Sequence, residues 1–462
     1  MPQAYDTIVV GLGSAGTTAA STLAKAGRRV LALEAQDRIG GRVKTVKCGD
    51  GFVEEGAEWI HGTEDSRVYQ AAMNNNITVL PQDLDMEVYR SDGSAVNREL
   101  MEDLISFCLE RVGKPPDEPP MKLGNFITSR LMEYIKEKYP HLVDDKKFLK
   151  EFLDLVNLFV NNYEASNDWN DVSAQSRYEE LGGHQHMSWH RYGYKTFFEI
   201  LLNTYNNGPG LPNLDIKLNT EVTQIKWPRD TTGNVEVVCK DGSTYTASNV
   251  IVTLSLGVLK ERHTSLFSPE LPRQKLEPIE KLVMGLLDKI ILRFPERWWT
   301  ADKSPVFWWD SDDLEKLDDR WLHVISGASA PKGSGDTLTL WTSGDSAKLI
   351  ETLPENEVKS KCMQLLRRFM GRNHTIPEPV EMIRSTWFSN PFTRGSYSYD
   401  NLLTPQKPNL REDLASPLLD SAGSPRVLFA GEATNSVHFS TVHGAAETGY
   451  REAMRLLPSS KV

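Results

Sequence analysis

Apolar positions along the chain follow two periods in turn. Ile8, Val9 and Val10 form a short continuous run that reads as a buried strand. Ala15, Ala19, Leu23 and Ala24 then recur at helical spacing, Gly27 stops that helix, and Val30 to Leu33 make a second run. The unit is strand, turn, helix, strand. Farther on, "LNTEVTQIKW" and "NVEVVCKDGSTYTASNVIVTLSLGVL" alternate β-branched residues across turn glycines, which predicts a strand, a hairpin and another strand. "RVLFAGEATNSVHFSTVHGAAETGYREAMRLL" predicts a short strand, a loop and a helix opening near Thr441, with Ser440 or Thr441 able to cap its first turn. Gly444, Ala445 and Gly449 leave that helix a bare face. In "GLLDKIILRFP" the period is two, so Lys289 shares a face with Ile291 and Arg293, and pattern alone predicts an exposed strand lysine. No apolar run reaches the roughly 18 residues of a membrane span.

At 462 residues the chain exceeds a single hydrophobic core, and two domains are expected. A quarter of its residues are charged, as in soluble globular proteins. The net charge of −11 argues against general nucleic-acid binding and suits a cationic ligand. Cys48, Cys108, Cys239 and Cys362 lie far apart, a spacing that fits reduced thiols better than disulfides or zinc. The first strand-like run begins at Thr7, so no signal peptide is expected, and the sequons at Asn76 and Asn373 are read as accidental. The ending "SSKV" differs by one residue from the peroxisomal S-K-L address. A cytoplasmic location is expected, with the peroxisome as the alternative.

The turn after the first strand is Gly11-x-Gly13-x-x-Gly16. Gly11 permits the bend, Gly13 admits a pyrophosphate to the backbone beside Ser14 and Ala15, and Gly16 lets helix and strand pack closely. The helix N-terminus then stabilises the phosphate charge. Glu34 closes the second strand where a carboxylate accepting from a ribose hydroxyl is expected. These features together predict dinucleotide binding. In "AQDRIGGR", Gly40 and Gly41 clear the way for Arg42 to reach the same pyrophosphate.

"GLGSAG", "EAQDRIGGR", "GAEWIHG", "GSYSY" and "GEAT…FSTVHGA" together resemble the flavin-containing amine oxidases, and within them the animal-type polyamine oxidases. The resemblance covers nearly the whole chain and is weaker from about 80 to 190. It implies an α/β fold: a discontinuous Rossmann-type FAD-binding domain from 1–75, 205–262 and 425–462, and an α+β substrate-binding domain from 76–204 and 263–424. It also implies that Val222 and Glu432 touch FAD, that Glu58 and Trp59 flank the flavin, and that His61 faces the substrate amine. Plant-type enzymes tend to carry glutamate at the His61 position. Lys289 would hold a water against flavin N5, and Trp387 would pack on the ring. Ser440 and Thr441 would open a helix whose positive end favours the reduced flavin. Ser396 stands where monoamine oxidases attach flavin through cysteine, so FAD is expected to be non-covalent. Tyr397 matches one ring of the two-ring cage of monoamine and plant polyamine oxidases, but Thr441 replaces the other.

Within "NNYEASNDWND", Glu164 and Asp168 are the candidates for holding remote ammonium groups, although by pattern the run is a solvated loop. His184, His186 and His190 in "HQHMSWH" offer an i,i+4 pair, but lack the glutamate of H-E-x-x-H, and no metal is expected. The expected reaction is oxidation of a small-molecule polyamine (spermine, an N-acetylated polyamine or spermidine) by dioxygen through FAD, yielding hydrogen peroxide. The rival readings are an L-amino-acid oxidase using Arg293 or Arg394, an inactive flavin-binding module, and an NAD dehydrogenase. A histone demethylase of this superfamily would need a helical tower and a further helical domain, for which the chain has no room. Oligomeric state is not readable.

Overall fold

The computed structural model describes residues 5–83, 85–112, 114–231 and 233–458, so the "SSKV" ending lies outside the described residues. Strand Tyr5–Val10 lies between two parallel neighbours, Val30–Leu33 and Thr244–Val252, which is why Ile8, Val9 and Val10 are all buried. The sheet around it has nine strands. In order these are Phe267–Ser268, Val222–Lys226, Val235–Cys239, Thr244–Val252, Tyr5–Val10, Val30–Leu33 and Leu214–Lys217. Pro425–Phe429 runs parallel to the far end of Thr244–Val252, and Leu418–Leu419 pairs antiparallel with it. Three stretches of chain separated by more than a hundred residues therefore share one sheet, with Phe267–Ser268 and Leu418–Leu419 added from between them.

On one face of this sheet the helix Ser14–Lys25 packs against the helix Val442–Leu456. A Cβ added to Gly449 would lie 2.0 Å from the Ala15 carbonyl oxygen, so the two backbones touch. The Ser14 hydroxyl donates to the Val442 carbonyl at 2.8 Å and pins the crossing.

The rest of the chain builds two further cores. Helices Arg98–Leu109, Leu123–Lys138 and Lys146–Glu164 bury an apolar cluster including Leu104, Ile127 and Phe152. An antiparallel sheet in the order Ala328–Ser329, Thr337–Ser343, Leu287–Arg293, Glu381–Arg384 packs against helix Glu355–Met370. Leu287–Arg293 is an inner strand here, and Lys289 is only 3% exposed. The exposed lysine predicted from period alone is thus corrected, because both faces of the strand are covered. A three-stranded sheet of Trp59–Ile60, Met187–Ser188 and Leu80–Pro81 brings "GAEWIHG" against "HQHMSWH". The second segment is strand and 3-10 turn, so its histidines share no α-helical face, and the His190 Nε2 pairs with the Thr78 carbonyl at 2.8 Å.

Candidate active site

The glycine turn is forced by space. Gly11 has φ of +92°, and a Cβ on Gly16 would sit 1.9 Å from the Gly11 carbonyl oxygen. Gly13 precedes Ser14–Lys25 without any side-chain cap, leaving the first-turn N–H groups at Ser14 and Ala15 for an external anion. Gly41, with φ of +59°, comes so close that a Cβ on it would meet the Gly13 Cα at 3.2 Å. Glu34 is buried, its carboxylate accepting from Leu12 N at 2.7 Å and Gln36 N at 2.9 Å. Burial holds its carboxyl above the ordinary value despite those bonds. Thr220 N donates to the Glu34 carbonyl at 2.8 Å, which brings the strand beginning at Val222 alongside.

Arg42 leaves this turn to donate to the Ser396 carbonyl at 2.7 Å and to Glu432 Oε1 at 2.9 Å. Its side chain keeps 24% exposure, enough to meet a further anion. Glu432 Oε2 accepts from the Ser398 hydroxyl at 2.7 Å and Ser440 N at 3.0 Å. Burial opposes its charge, but Arg42 and Arg411 outweigh that and hold the carboxyl below its usual range. Of the two expected caps, Thr441 does the capping: its hydroxyl accepts from Gly444 N at 2.9 Å. Ser440 instead takes φ of +66° and donates to the Ser398 carbonyl. The uncapped helix, the glycine cradle, the ribose-height carboxylate and the exposed edge of Arg42 fit a dinucleotide.

"GAEWIHG" lies beside this cradle. A Cβ on Gly56 would meet the Arg42 carbonyl at 1.9 Å and the Trp387 ring at 3.0 Å, so only glycine passes between them. The Trp387 indole donates to the Glu55 carbonyl at 3.3 Å. Glu58 points inward to a buried ion pair with Lys289 at 2.8 Å, both side chains 4% exposed. Lys289 Nζ also donates to the Glu54 carbonyl at 3.0 Å and lies 4.5 Å from the Trp341 ring centre. Trp59 stacks on Trp341 with centroids 5.5 Å apart and an angle of 20°. The half-buried His61 ring stands 6.4 Å from Trp59 and 5.9 Å from His186. Burial first, then His186 and His443, depress the His61 imidazole to about 3, against a hydrogen bond with the Gln185 backbone. It is neutral at any physiological pH.

Tyr397 donates to the Asn162 and Tyr163 carbonyls, at 3.2 and 3.1 Å, at the end of helix Lys146–Glu164. Glu164 is adjacent, and among the described residues its carboxylate makes no hydrogen bond or ion pair. Burial and the neighbouring Asp400 push its carboxyl up to about 8. Asp168 does not share that freedom: it accepts from Asn170 N at 2.7 Å in a local turn. The Ser396 hydroxyl is occupied by both main-chain groups of Leu287, at 2.7 and 2.8 Å. The two arginines considered for an amino-acid carboxylate are already paired, Arg293 with Asp336 at 3.1 Å and Arg394 with Glu261 at 2.9 Å.

Three residues of this constellation escaped the sequence reading. Trp341 forms the second wall of the Trp59 stack, Gln82 donates to Glu58 at 3.2 Å, and His186 packs edge-on to Trp59 at 5.0 Å. A tryptophan interrupting the small polar residues of "TLTLWTS" was the only local signal for Trp341. From the sequence His186 reads only as a candidate metal ligand.

Residues 14–457 match the family model described as flavin containing amine oxidoreductase. The chain is 31% identical to a human protein named peroxisomal N(1)-acetyl-spermine/spermidine oxidase (Homo sapiens), covering 97% of this chain and 94% of that protein. Its bovine counterpart (Bos taurus) is 32% identical over the same shares. Among solved structures, a putrescine oxidase redesigned in its cofactor binding superposes with a TM-score of 0.69 over 98% of both chains at 20% identity, a likeness of fold.

Proposed function

As a member of the flavin-containing amine oxidoreductase family, the chain is a flavin enzyme, and we propose that its flavin is FAD, that FAD is held without a covalent bond, and that the substrate is a polyamine. Spermine, an N-acetylated polyamine or spermidine would be oxidised with dioxygen and water to an amine, an aminoaldehyde and hydrogen peroxide. The observation that carries the substrate class is Glu164, a half-buried carboxyl with no hydrogen-bond or ion-pair partner among the described residues, next to Tyr397. Such a group costs free energy unless a cation arrives, and a polyamine brings one at a distance from its reacting nitrogen. The pairing of Arg293 and Arg394 weighs against a carboxylate-bearing amino acid.

In this reading, segments 1–75, 205–262 and 425–462 hold FAD, and 76–204 and 263–424 hold the substrate. Gly11, Gly13, Gly16, Ser14 and Ala15 receive the pyrophosphate with Arg42, and Glu34 receives the ribose. The bonds of the Ser396 hydroxyl to Leu287 leave it no covalent role. Bound FAD supplies the acceptor for the hydride leaving the carbon beside nitrogen, and returns the electrons to dioxygen. The reacting nitrogen must be neutral to form an iminium. An imidazole held at about 3 is too weak a base to strip an ammonium, so His61 orients the neutral amine by a hydrogen bond while the surrounding Trp59 and Trp341 exclude water. Lys289, with two donors spent on Glu58 and Glu54, keeps a third for a water. The proposed location is the cytoplasm, with the peroxisome as alternative; no helix of the described residues is long and apolar enough to cross a membrane.

Anaerobic mixing of the purified protein with spermine, N-acetylspermine, spermidine, benzylamine and L-leucine tests the proposal. A polyamine should bleach the flavin spectrum, and air should restore it. Bleaching by leucine alone would establish the amino-acid oxidase instead, and bleaching by none would leave a flavin-binding module. Replacing His61 by alanine should lower kcat/KM about 10²-fold through lost positioning. Its pH profile should keep its shape, because a neutral His61 contributes no limb near 6.5.

Glu164→Gln gives a second, independent reading. In the free protein the carboxyl is protonated below about 8, so affinity for a cationic amine should rise with pH through that value and the rise should vanish in the variant. The stability effect has a definite sign. A carboxyl at about 8 folded and 4.5 unfolded contributes fully at low pH and loses its contribution as pH rises through 8. Glu164→Gln should therefore be neutral at acid pH and stabilising above 8 in denaturant titrations.

A further inference from the structure

The loop and helix that follow Glu432 carry a second cluster, of which His443 alone bears on the proposed reaction, through its effect on His61. His443 and Glu447 are one helical turn apart on Val442–Leu456, hence on one face. The preceding loop folds His438 back over them: its backbone N–H donates to Asn435 Oδ1 at 2.9 Å, and its carbonyl accepts from the Thr441 hydroxyl at 2.7 Å. A Cβ on Gly444 would sit 1.8 Å from that same carbonyl, so the fold-back depends on glycine. One ligand atom from each of His438, His443 and Glu447 lies within 4.8 Å of the others.

His443 is the unexplained member. It is 2% exposed, its Nε2 is buried without a partner, and no hydrogen bond from either ring nitrogen is formed within the described residues. A lone buried imidazole is a cost unless something occupies the site. The other two ligands are already steered: His438 Nδ1 meets Glu447 Oε2 at 2.8 Å, and Asn435 donates to the same oxygen at 2.9 Å, an outer bond of the kind that orients a metal-binding carboxylate.

We propose that His438, His443 and Glu447 form a site for a divalent transition metal of the zinc type. Two imidazoles and one carboxylate select such an ion over magnesium or calcium, which favour oxygen ligands. Metal–ligand bonds of about 2.0–2.1 Å place tetrahedral ligand atoms about 3.3 Å apart. Closing from 4.8 Å to that spacing is within reach of side-chain rotation alone. The carboxylate offsets part of the dication, whereas the positive end of the helix works against it. Three protein ligands leave the fourth position to water.

The flavin-loaded protein should be titrated with zinc chloride by calorimetry in a non-chelating buffer. One zinc per chain is expected, with affinity at least tenfold weaker in both His438→Gln and Glu447→Gln. These half-buried replacements leave the core intact, and their flavin spectra should match the parent's. His184→Ala, which removes a half-buried histidine elsewhere, should bind as the parent does. Absence of one-to-one binding in the parent overturns the site, as does binding unchanged in both ligand variants or lost in His184→Ala.

Discussion

Replacing Lys289 by methionine should destabilise the protein by about 3–5 kcal/mol and lower turnover about 10²-fold. The stability loss follows from the Glu58 carboxylate, 4% exposed and left with Gln82 as its neighbour once the ammonium is gone. Denaturant unfolding checks it. The diagnostic variant is the pair Lys289→Met with Glu58→Gln. Removing both charges removes the penalty, so stability should return to within about 1 kcal/mol of the parent, while turnover should stay low because the donor itself is missing. If the double variant regains activity, Lys289 serves the fold and not the reaction. If the single variant is as stable as the parent, the buried pair is not what holds these strands together.

Alanine at Gly16 should leave the protein without its yellow colour. The added methyl would lie 1.9 Å from the Gly11 carbonyl oxygen, and backbone, not a flexible side chain, must yield. Overpacking of this kind costs about 1–3 kcal/mol, and spent on the cradle it weakens flavin binding tenfold or more. The ratio of flavin to protein absorption measures this. Gly27→Ala is the control for space: Gly27, unlike Gly16, has positive φ, +83°, but nothing lies within 4 Å of its Cβ position. It should bear modest backbone strain and keep its flavin. Full flavin in Gly16→Ala would mean that the close packing of helix on strand is not needed for the cofactor.

The parts of this molecule written in neighbouring residues were readable before any coordinates. The Gly11–Gly16 turn, the hairpin between Val235 and Val252 and the helix capped by Thr441 each depend on local periodicity and local turn chemistry, and each stands where expected. Lys289 shows where that logic stops. Its strand alternates like a half-exposed one, yet neighbours on both sides and the Glu58 carboxylate, 231 residues distant in sequence, bury it. Only the family resemblance pointed there. Trp341 enters the site through a stack on Trp59 of similar range and Gln82 through a bond to Glu58 across 24 residues, and for neither does a spacing exist to be read. Glu164 and Asp168 looked alike as acids in one loop. Helix termination at Glu164 separates them, isolating the first carboxylate and leaving the second to cap its own turn.

The pinning of Ser14 to Val442 spans 428 residues, and it sets a timetable for the living cell. At about 5–20 residues per second, a ribosome needs on the order of 20–90 s to bring the second partner out after the first. Throughout that interval the alanine-lined face of the first helix lacks the companion it packs against in the folded chain. Closing of the two helices over the glycine turn is consequently a late event of synthesis. A message cut short before the final helix, or a protease that removes it, yields a product with a complete glycine turn and nothing to close over it. Such chains should be colourless, which makes the helix Val442–Leu456 a requirement for holding the flavin.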